Sequence, residues 1–324
     1  MRINERISLK FRRIGNCGAK VSVIGFGSWL TIGGTVDSKT ARELVRTAFD
    51  CGINFFDTAD VYGFGSAEKF LGKTLKEIKR QDLFIATKCF GKMSDNPNDK
   101  GLSRKHIFES VHNSLKNLKT DYIDLMQCHR YDNETEPEET CRAFNTLIEQ
   151  GKILYWGTSE WTKDEISSAV NICEKNNLHK PVSNQPQYSM FAREIEKNGV
   201  MKYCREKGIG QVVWSPLAQG VLTGKYNLKN IDRNSRLLDK NNNRFVKNFA
   251  VRKNLDKVDK LINLSGEIGI SVSNLALAWC LRNEIISSAI TSATKLQQLK
   301  ENIKAADVEL SEAVLNKTEK ILKG

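Results

Sequence analysis

No apolar run in the chain approaches the length that spans a bilayer, so membrane insertion is not expected. The N-terminus, MRINERISLKFRR, is basic but has neither an apolar core nor a small-residue cleavage site. It does not read as a secretory leader, and a cytoplasmic location is expected. Eight cysteines (17, 51, 89, 128, 141, 173, 204 and 280) form no CxxC pair, and only four histidines accompany them. This argues against a zinc module, so no metal site is expected, and in a reducing compartment the thiols read as small apolar groups. No GxGxxG follows the first strand-like segment, and Gly63-Phe64-Gly65 reads as a tight turn instead. No linker or break in composition divides the 324 residues, so one domain over 1–324 is expected.

What the chain has in excess is positive charge, a formal +12 at pH 7. Nucleic acid would be attracted to such a surface without sequence readout. Most lysines, however, alternate with acids along helical stretches, as on a solvated mixed-charge surface, and no nucleic-acid partner is expected. The excess would also suit a phosphorylated small-molecule cofactor.

The stretch NFFDTADVYGFG, residues 54–65, organises the rest. An apolar run stops at Asp57 and a phenol, Tyr62, follows five positions on. Alone, these could be a helix cap and an amphipathic lid. The chain then repeats the pattern. After two short alternating segments between Ile7 and Val23 about the turn Asn16-Cys17-Gly18, which read as a β-hairpin, strands are expected over 23–26, 53–57, 83–88, 122–129, 153–159, 182–185, 211–215 and 288–292. Between and after them the 3.6-residue periodicity predicts helices over 38–51, 66–77, 103–118, 136–150, 162–176, 199–207, 254–268, 273–282 and 295–303. Eight strand-loop-helix units of about thirty residues indicate an α/β fold, a (β/α)8 TIM barrel preceded by a hairpin. A doubly wound sheet is the alternative. The polar stretch Asn227 to Asn248 reads as a loop excursion on the barrel.

Such barrels gather their chemistry where strands deliver C-terminal residues to one face. Those ends carry Asp57, Lys88, His129, Ser159, Asn184 with Gln185, and Trp214 with Ser215. Singly, a Lys ending a strand marks where it reaches water, and a lone His is a satisfied core residue. Jointly, an acid, a base, an imidazole and an intervening Tyr form a proton-transfer set. Asp57 would hold the Lys88 ammonium, Lys88 would favour the Tyr62 phenolate and lower its acidity barrier, and Tyr62 would act as general acid. His129 would orient a carbonyl oxygen. No nucleophilic triad is visible, so a bound hydride donor is the expected attacking species. Cys89 and Cys128 stand beside Lys88 and His129, but strand alternation turns them toward the surrounding helices.

GINFFDTADVYGFGSAEKFLGKTL, LFIATK, DYIDLMQCHR, QGKILYWGTSEW and WSPLAQGVLTGKY resemble the aldo-keto reductases over nearly the whole chain. The likeness is greatest to the branch containing voltage-gated potassium channel β subunits and related bacterial reductases. It implies a barrel with an N-terminal β-hairpin and a C-terminal cofactor-binding segment, NADPH/NADP+ bound extended without a Rossmann fold, and a small aldehyde or ketone substrate. Asp57, Tyr62, Lys88 and His129 match the family's catalytic four. Asp57 also falls at the cofactor, with Gly27, Ser28 and Trp29. By the same resemblance Ser159 and Gln185 hold the nicotinamide carboxamide, and Trp214 lies near the ring. Ser215, Leu217, Gly220, Lys225 and Arg236 follow the pyrophosphate, while Ser292, Thr294, Gln298, Glu301 and Asn302 meet the adenosine and 2′-phosphate. Ser292 departs from the family's common glycine.

The channel branch supplies a rival reading, a binding or redox-sensing partner with weak reductase activity, and Arg130 and the segment Asp132 to Pro137 resemble that branch. Its channel-associated members have Asn where this chain has His129, and no long extension precedes the hairpin, which favours an ordinary reductase. Homo-oligomeric assembly is left open.

Overall fold

The computed structural model describes residues 9–29, 31–32, 36–226, 237 and 243–324. Two short antiparallel strands, β1 (Phe11–Arg13) and β2 (Lys20–Ser22), come first. Eight parallel strands follow: β3 (Ile24–Gly27), β4 (Phe55–Asp57), β5 (Phe84–Cys89), β6 (Ile123–Cys128), β7 (Ile153–Ser159), β8 (Ser183–Gln185), β9 (Gly210–Trp214) and β10 (Ile286–Thr291). They close in the order β10-β3-β4-β5-β6-β7-β8-β9, which is the (β/α)8 barrel expected from the repeat. The last strand begins at Ile286, two residues before the expected 288, and its register against β9 shifts between Ile286 and Ser288.

Helices α1 (Ser38–Asp50), α2 (Ser66–Leu75), α3 (Arg104–Leu118), α4 (Pro137–Glu149) and α5 (Lys163–Asn176) connect the strands as far as β8. Their ends follow local chemistry. Asp37 accepts the Lys39 and Thr40 amides ahead of α1, Pro137 opens α4, and Thr162 with Glu165 forms a capping box on α5. Further on lie α6 (Glu194–Lys197), α7 (Val200–Lys207), α8 (Arg244–Lys247), α9 (Arg252–Glu267), α10 (Val272–Leu281) and α11 (Leu296–Lys304). A last helix, α12 (Glu312–Lys323), was not anticipated. Its signals were present, a Ser311 cap on the Val314 amide and apolar Val314, Leu315, Ile321 and Leu322 at helical spacing. Glu319 ties it back to Arg193 and to the Trp279 indole. Among the described residues no single helix is long and apolar enough to cross a membrane.

Strand alternation divides the core in two. Outward side chains meet the helices in one large cluster, and Cys89 and Cys128 are buried there. Inward, Phe55, Phe84, Ala86, Leu125, Val212 and Ile290 fill the barrel together with Ile14 and Val21 of the hairpin. The hairpin therefore plugs the N-terminal end. Arg12 fixes it by donating to the Leu281, Asn283 and Ile286 carbonyls, and the Asn16 amide bonds Gly208 O at 2.8 Å. Gly15 and Gly210 make this approach possible, since a Cβ at Gly210 would collide with the Gly15 amide and Ser287 Oγ. Gly210→Ala is expected to cost about 1–3 kcal/mol of stability, measured by denaturant unfolding, with the distal face undisturbed.

Candidate active site

The C-terminal ends of the strands converge on a buried ion pair. Lys88 Nζ lies 2.6 Å from Asp57 Oδ1 and 2.7 Å from the Thr58 carbonyl oxygen, with Lys88 wholly inaccessible. The second carboxylate oxygen is also engaged. Gln185 Nε2 donates to Asp57 Oδ2 at 2.9 Å and Gln127 Nε2 reaches it at 3.4 Å, while Gln185 Nε2 also donates to Gln127 Oε1 at 3.3 Å. Asp57 thus joins β4, β5, β6 and β8 at one point. A buried charge pair of this kind stands only with further hydrogen bonds around it, and Thr58 O on the ammonium and the two glutamines on the carboxylate supply them. Burial pulls the Lys88 ammonium down, but Asp57 and then Tyr62 outweigh it, and the net direction is up.

Tyr62 leans over this pair. Lys88 Nζ is 5.2 Å from the phenol ring centre, and the His129 ring meets the phenol edge-on, 5.8 Å between centres at 78°. The sequence led us to expect Lys88 to make the phenol more acidic. Lys88 does act in that direction, but burial is the larger influence and the net shift of Tyr62 is upward. The phenol is therefore held neutral as a donor. Burial, Lys88 and Arg130 in that order push His129 well below its ordinary range. A neutral imidazole beside a neutral phenol can orient a polarised oxygen without taking charge. Burial likewise raises the Cys89 and Cys128 thiols well above theirs, which leaves them unreactive.

The remaining sequence candidates fall along an arc round the same rim. Ser159 and Gln185 pair side by side in the β7–β8 register, and Ser159 Oγ donates to the Gln185 carbonyl at 2.8 Å. This leaves the Ser159 hydroxyl oxygen and Gln185 Oε1 as acceptors suited to the two N–H groups of a carboxamide. Gly27 and Ser28 are buried, Ser28 Oγ donating to Thr58 Oγ1 at 2.9 Å, and a Cβ on Gly27 would meet Ile290 at 2.6 Å. Trp29 instead stands at the mouth, edge-on to Phe245 at 5.4 Å and to Trp214 at 6.4 Å. These rings form an aromatic clasp from the loop after β3, the end of β9 and α8.

Beyond Trp214 the backbone is folded tightly, with left-handed Ser215, Ala218, Gln219 and Gly220 at φ 58, 47, 60 and 93°. Leu217 caps that turn, and a Cβ on Gly220 would come within 3.2 Å of Lys225 Nζ. The bare glycine thus admits an ammonium close to the main chain, a cradle suited to phosphate. Arg236 lies outside the described residues, as does most of the 227–248 excursion. Trp214 is in register with Ile290, so the arc continues into β10 and the start of α11. There Ser292, Thr294 and Gln298 are exposed, Gln298 Oε1 accepting the Thr294 amide at 3.1 Å. Among the described residues no side chain caps α11, and its N-terminal N–H groups and dipole suit an anion. Glu301 accepts from Asn274 Nδ2 at 2.9 Å, and Asn302 is buried beside it.

Two participants escaped sequence reasoning. Gln127 sits inside β6, where nothing but its alternation with His129 pointed inward. Glu160 follows Ser159 with a left-handed φ of 58°, and its Oε1 accepts both the Trp214 indole N–H at 2.7 Å and the Gln187 amide at 2.5 Å. It fixes the Trp214 ring of the clasp.

The aldo/keto reductase family model matches residues 23–323. A protein of Arabidopsis thaliana named "Probable voltage-gated potassium channel subunit beta" is 42% identical over 318 residues, covering 97% of each chain. One of Oryza sativa subsp. japonica with the same name is 41% identical over 302 residues, covering 93% of this chain and 92% of the relative.

Proposed function

The chain belongs to the aldo/keto reductase family, and on that premise we propose that it is an NADPH-dependent oxidoreductase that reduces a small aldehyde or ketone to the alcohol, all of it working as one unit. The observation that carries the reading is the neutral Tyr62 phenol poised over the fully buried Asp57–Lys88 pair, beside a neutral His129. A nicotinamide bound along the arc would supply the hydride. The chain's own groups do the rest. Tyr62 and His129 hold the carbonyl oxygen from two sides, and as negative charge builds on that oxygen the phenol O–H passes its proton to it. The Lys88 ammonium beneath stabilises the phenolate left behind, and Asp57 keeps that ammonium in place. Ser159, Gln185 and the Trp29–Trp214–Phe245 clasp would hold the cofactor's nicotinamide end. The Gly220–Lys225 turn and the α11 N-terminus would hold its phosphates.

Steady-state consumption of NADPH with a panel of aldehydes and ketones tests the reading, and turnover dependent on the carbonyl is the expected result. NADPH is expected to bind more tightly than NADH, and that preference is expected to shrink as salt is raised, because a 2′-phosphate beside the exposed Lys295 at the start of α11 is screened. Equal affinities at low salt would remove NADP from the proposal. The names of the two plant relatives support a second reading, in which the protein acts as a channel-subunit-like partner. Tight NADPH binding without turnover on any carbonyl would favour it.

A further inference from the structure

Resting on the reductase reading above, we infer that Asp60 is the positioning residue for Tyr62, its buried carboxyl pinning the turn that carries the phenol to α3. After Asp57 the chain continues alongside β5, the Thr58 amide bonding Ala86 O at 2.9 Å and the Asp60 amide bonding Lys88 O at 3.2 Å. It then leaves the sheet. A loop of three left-handed residues, Gly63, Phe64 and Gly65, reverses it and is closed by the Gly65 amide on Asp60 O at 2.7 Å. Tyr62 stands inside this loop, two residues past the last backbone contact with β5. Its amide bonds Ala59 O at 3.1 Å and Lys88 meets its ring from β5, but neither contact ties the turn to α3.

The Asp60 carboxyl does. Oδ1 takes the Val61 amide at 2.6 Å and Oδ2 takes Ser110 Oγ, from the middle of α3, at 2.9 Å. One side chain therefore satisfies the first N–H after the sheet and fastens the loop to a helix fifty residues away. The groups facing it are Glu68 of α2 and Lys88 and Cys89 of β5. Glu68 is committed elsewhere, to Thr87 Oγ1 at 2.7 Å and Asn117 Nδ2 at 3.0 Å. Burial, then Glu68, pushes the Asp60 carboxyl up to about 7, against Ser110, the Val61 amide and Lys88. Both protonation states can keep the tether, since in the acid form the Ser110 hydroxyl accepts rather than donates. An amide has the same capacity.

This predicts a pattern across three variants. Asp60→Ala is expected to lower kcat by about tenfold to a hundredfold, the scale of a misplaced reacting group, with KM for NADPH little changed. Asp60→Asn is expected to recover most of that loss while flattening any limb of the pH profile near neutrality, and Ser110→Ala to fall between them. If Asp60→Ala does not fold, Ser110→Ala cuts the same tether and carries the test. Asp60→Ala turnover equal to that of the unaltered protein, or Asp60→Asn no better than Asp60→Ala, overturns the inference. Absence of turnover in the unaltered protein would overturn the reductase reading instead. The inference is then decided by alkaline titration of the Tyr62 phenol, read as the absorbance difference from Tyr62→Phe. Loosening the loop in Asp60→Ala hydrates the phenol and is expected to move its titration down toward the ordinary value, and an unmoved titration overturns the inference.

Discussion

Tyr62→Phe is expected to reduce carbonyl turnover by about a thousandfold or more, within the range assigned to a positioned general acid, while NADPH affinity stays nearly intact. The substitution removes one oxygen and keeps the ring. The edge contact with His129 at 5.8 Å and the cation–π approach of Lys88 at 5.2 Å survive it, so the pocket keeps its shape. What goes is the proton. His129 cannot replace it, because burial and its two cationic neighbours hold the imidazole neutral and it has no spare proton to lose at ordinary pH. Lys88 is no substitute either, since, against burial, Asp57 helps to hold its ammonium above its ordinary value, and Asp57 and Thr58 O take two of its three N–H groups. The raised Tyr62 phenol also predicts that wild-type turnover persists across the physiological range and declines only at alkaline pH, as the donor is lost. Steady-state kinetics with fluorescence titration of NADPH separates the two effects. Undiminished turnover in Tyr62→Phe would sink the mechanism.

How much of this was legible in the sequence depends on whether a residue's place is set by the strand it ends. Asp57, Lys88 and His129 lie at the C-terminal ends of three consecutive barrel strands, and the repeat alone delivers them to one rim. Tyr62 could be placed on that rim but not oriented, because its direction is set by the Asp60–Ser110 tether, and Ser110 looks like any polar helix residue until α3 is docked. Gln127 was hidden differently, and Gln185, expected at the cofactor, gave no sign of its bond to Asp57. An amide inside a barrel strand reads as an anomaly in an apolar run, and its purpose appears only when both are seen donating toward one carboxylate oxygen. The net acidity of Tyr62 was misjudged for a related reason. The charge partner is visible in the sequence, whereas the depth of burial, which outweighs it, belongs to the folded chain. The missed α12 had a cap and a periodicity but no strand after it, so the strand-helix repeat did not ask for it.

Lys88→Met is expected to cost both activity and about 3–5 kcal/mol of stability, the scale of breaking one side of a buried ion pair. Methionine fills the volume without difficulty. The loss falls on Asp57, which among the described residues is left buried with Gln127 and Gln185 as its side-chain donors, and on Thr58 O, which loses the Lys88 ammonium. The sign of the pH dependence follows from the direction of the Lys88 shift. Its folded-state value is raised above the unfolded one, so its contribution is fully present below the unfolded value of about 10.4 and is lost only as pH rises through the folded value. The stability gap between wild type and Lys88→Met is therefore expected to be flat through neutral pH and to narrow in strong alkali. Adding Asp57→Asn to Lys88→Met removes the uncompensated charge while keeping an acceptor for the two glutamines. The double variant is expected to be more stable than Lys88→Met alone, yet as inactive, because no ammonium then lies beneath the phenol. Denaturant unfolding of the four proteins of this cycle measures the coupling directly. A coupling near zero would mean that the Asp57–Lys88 pair is not the element that holds the four strands to one point.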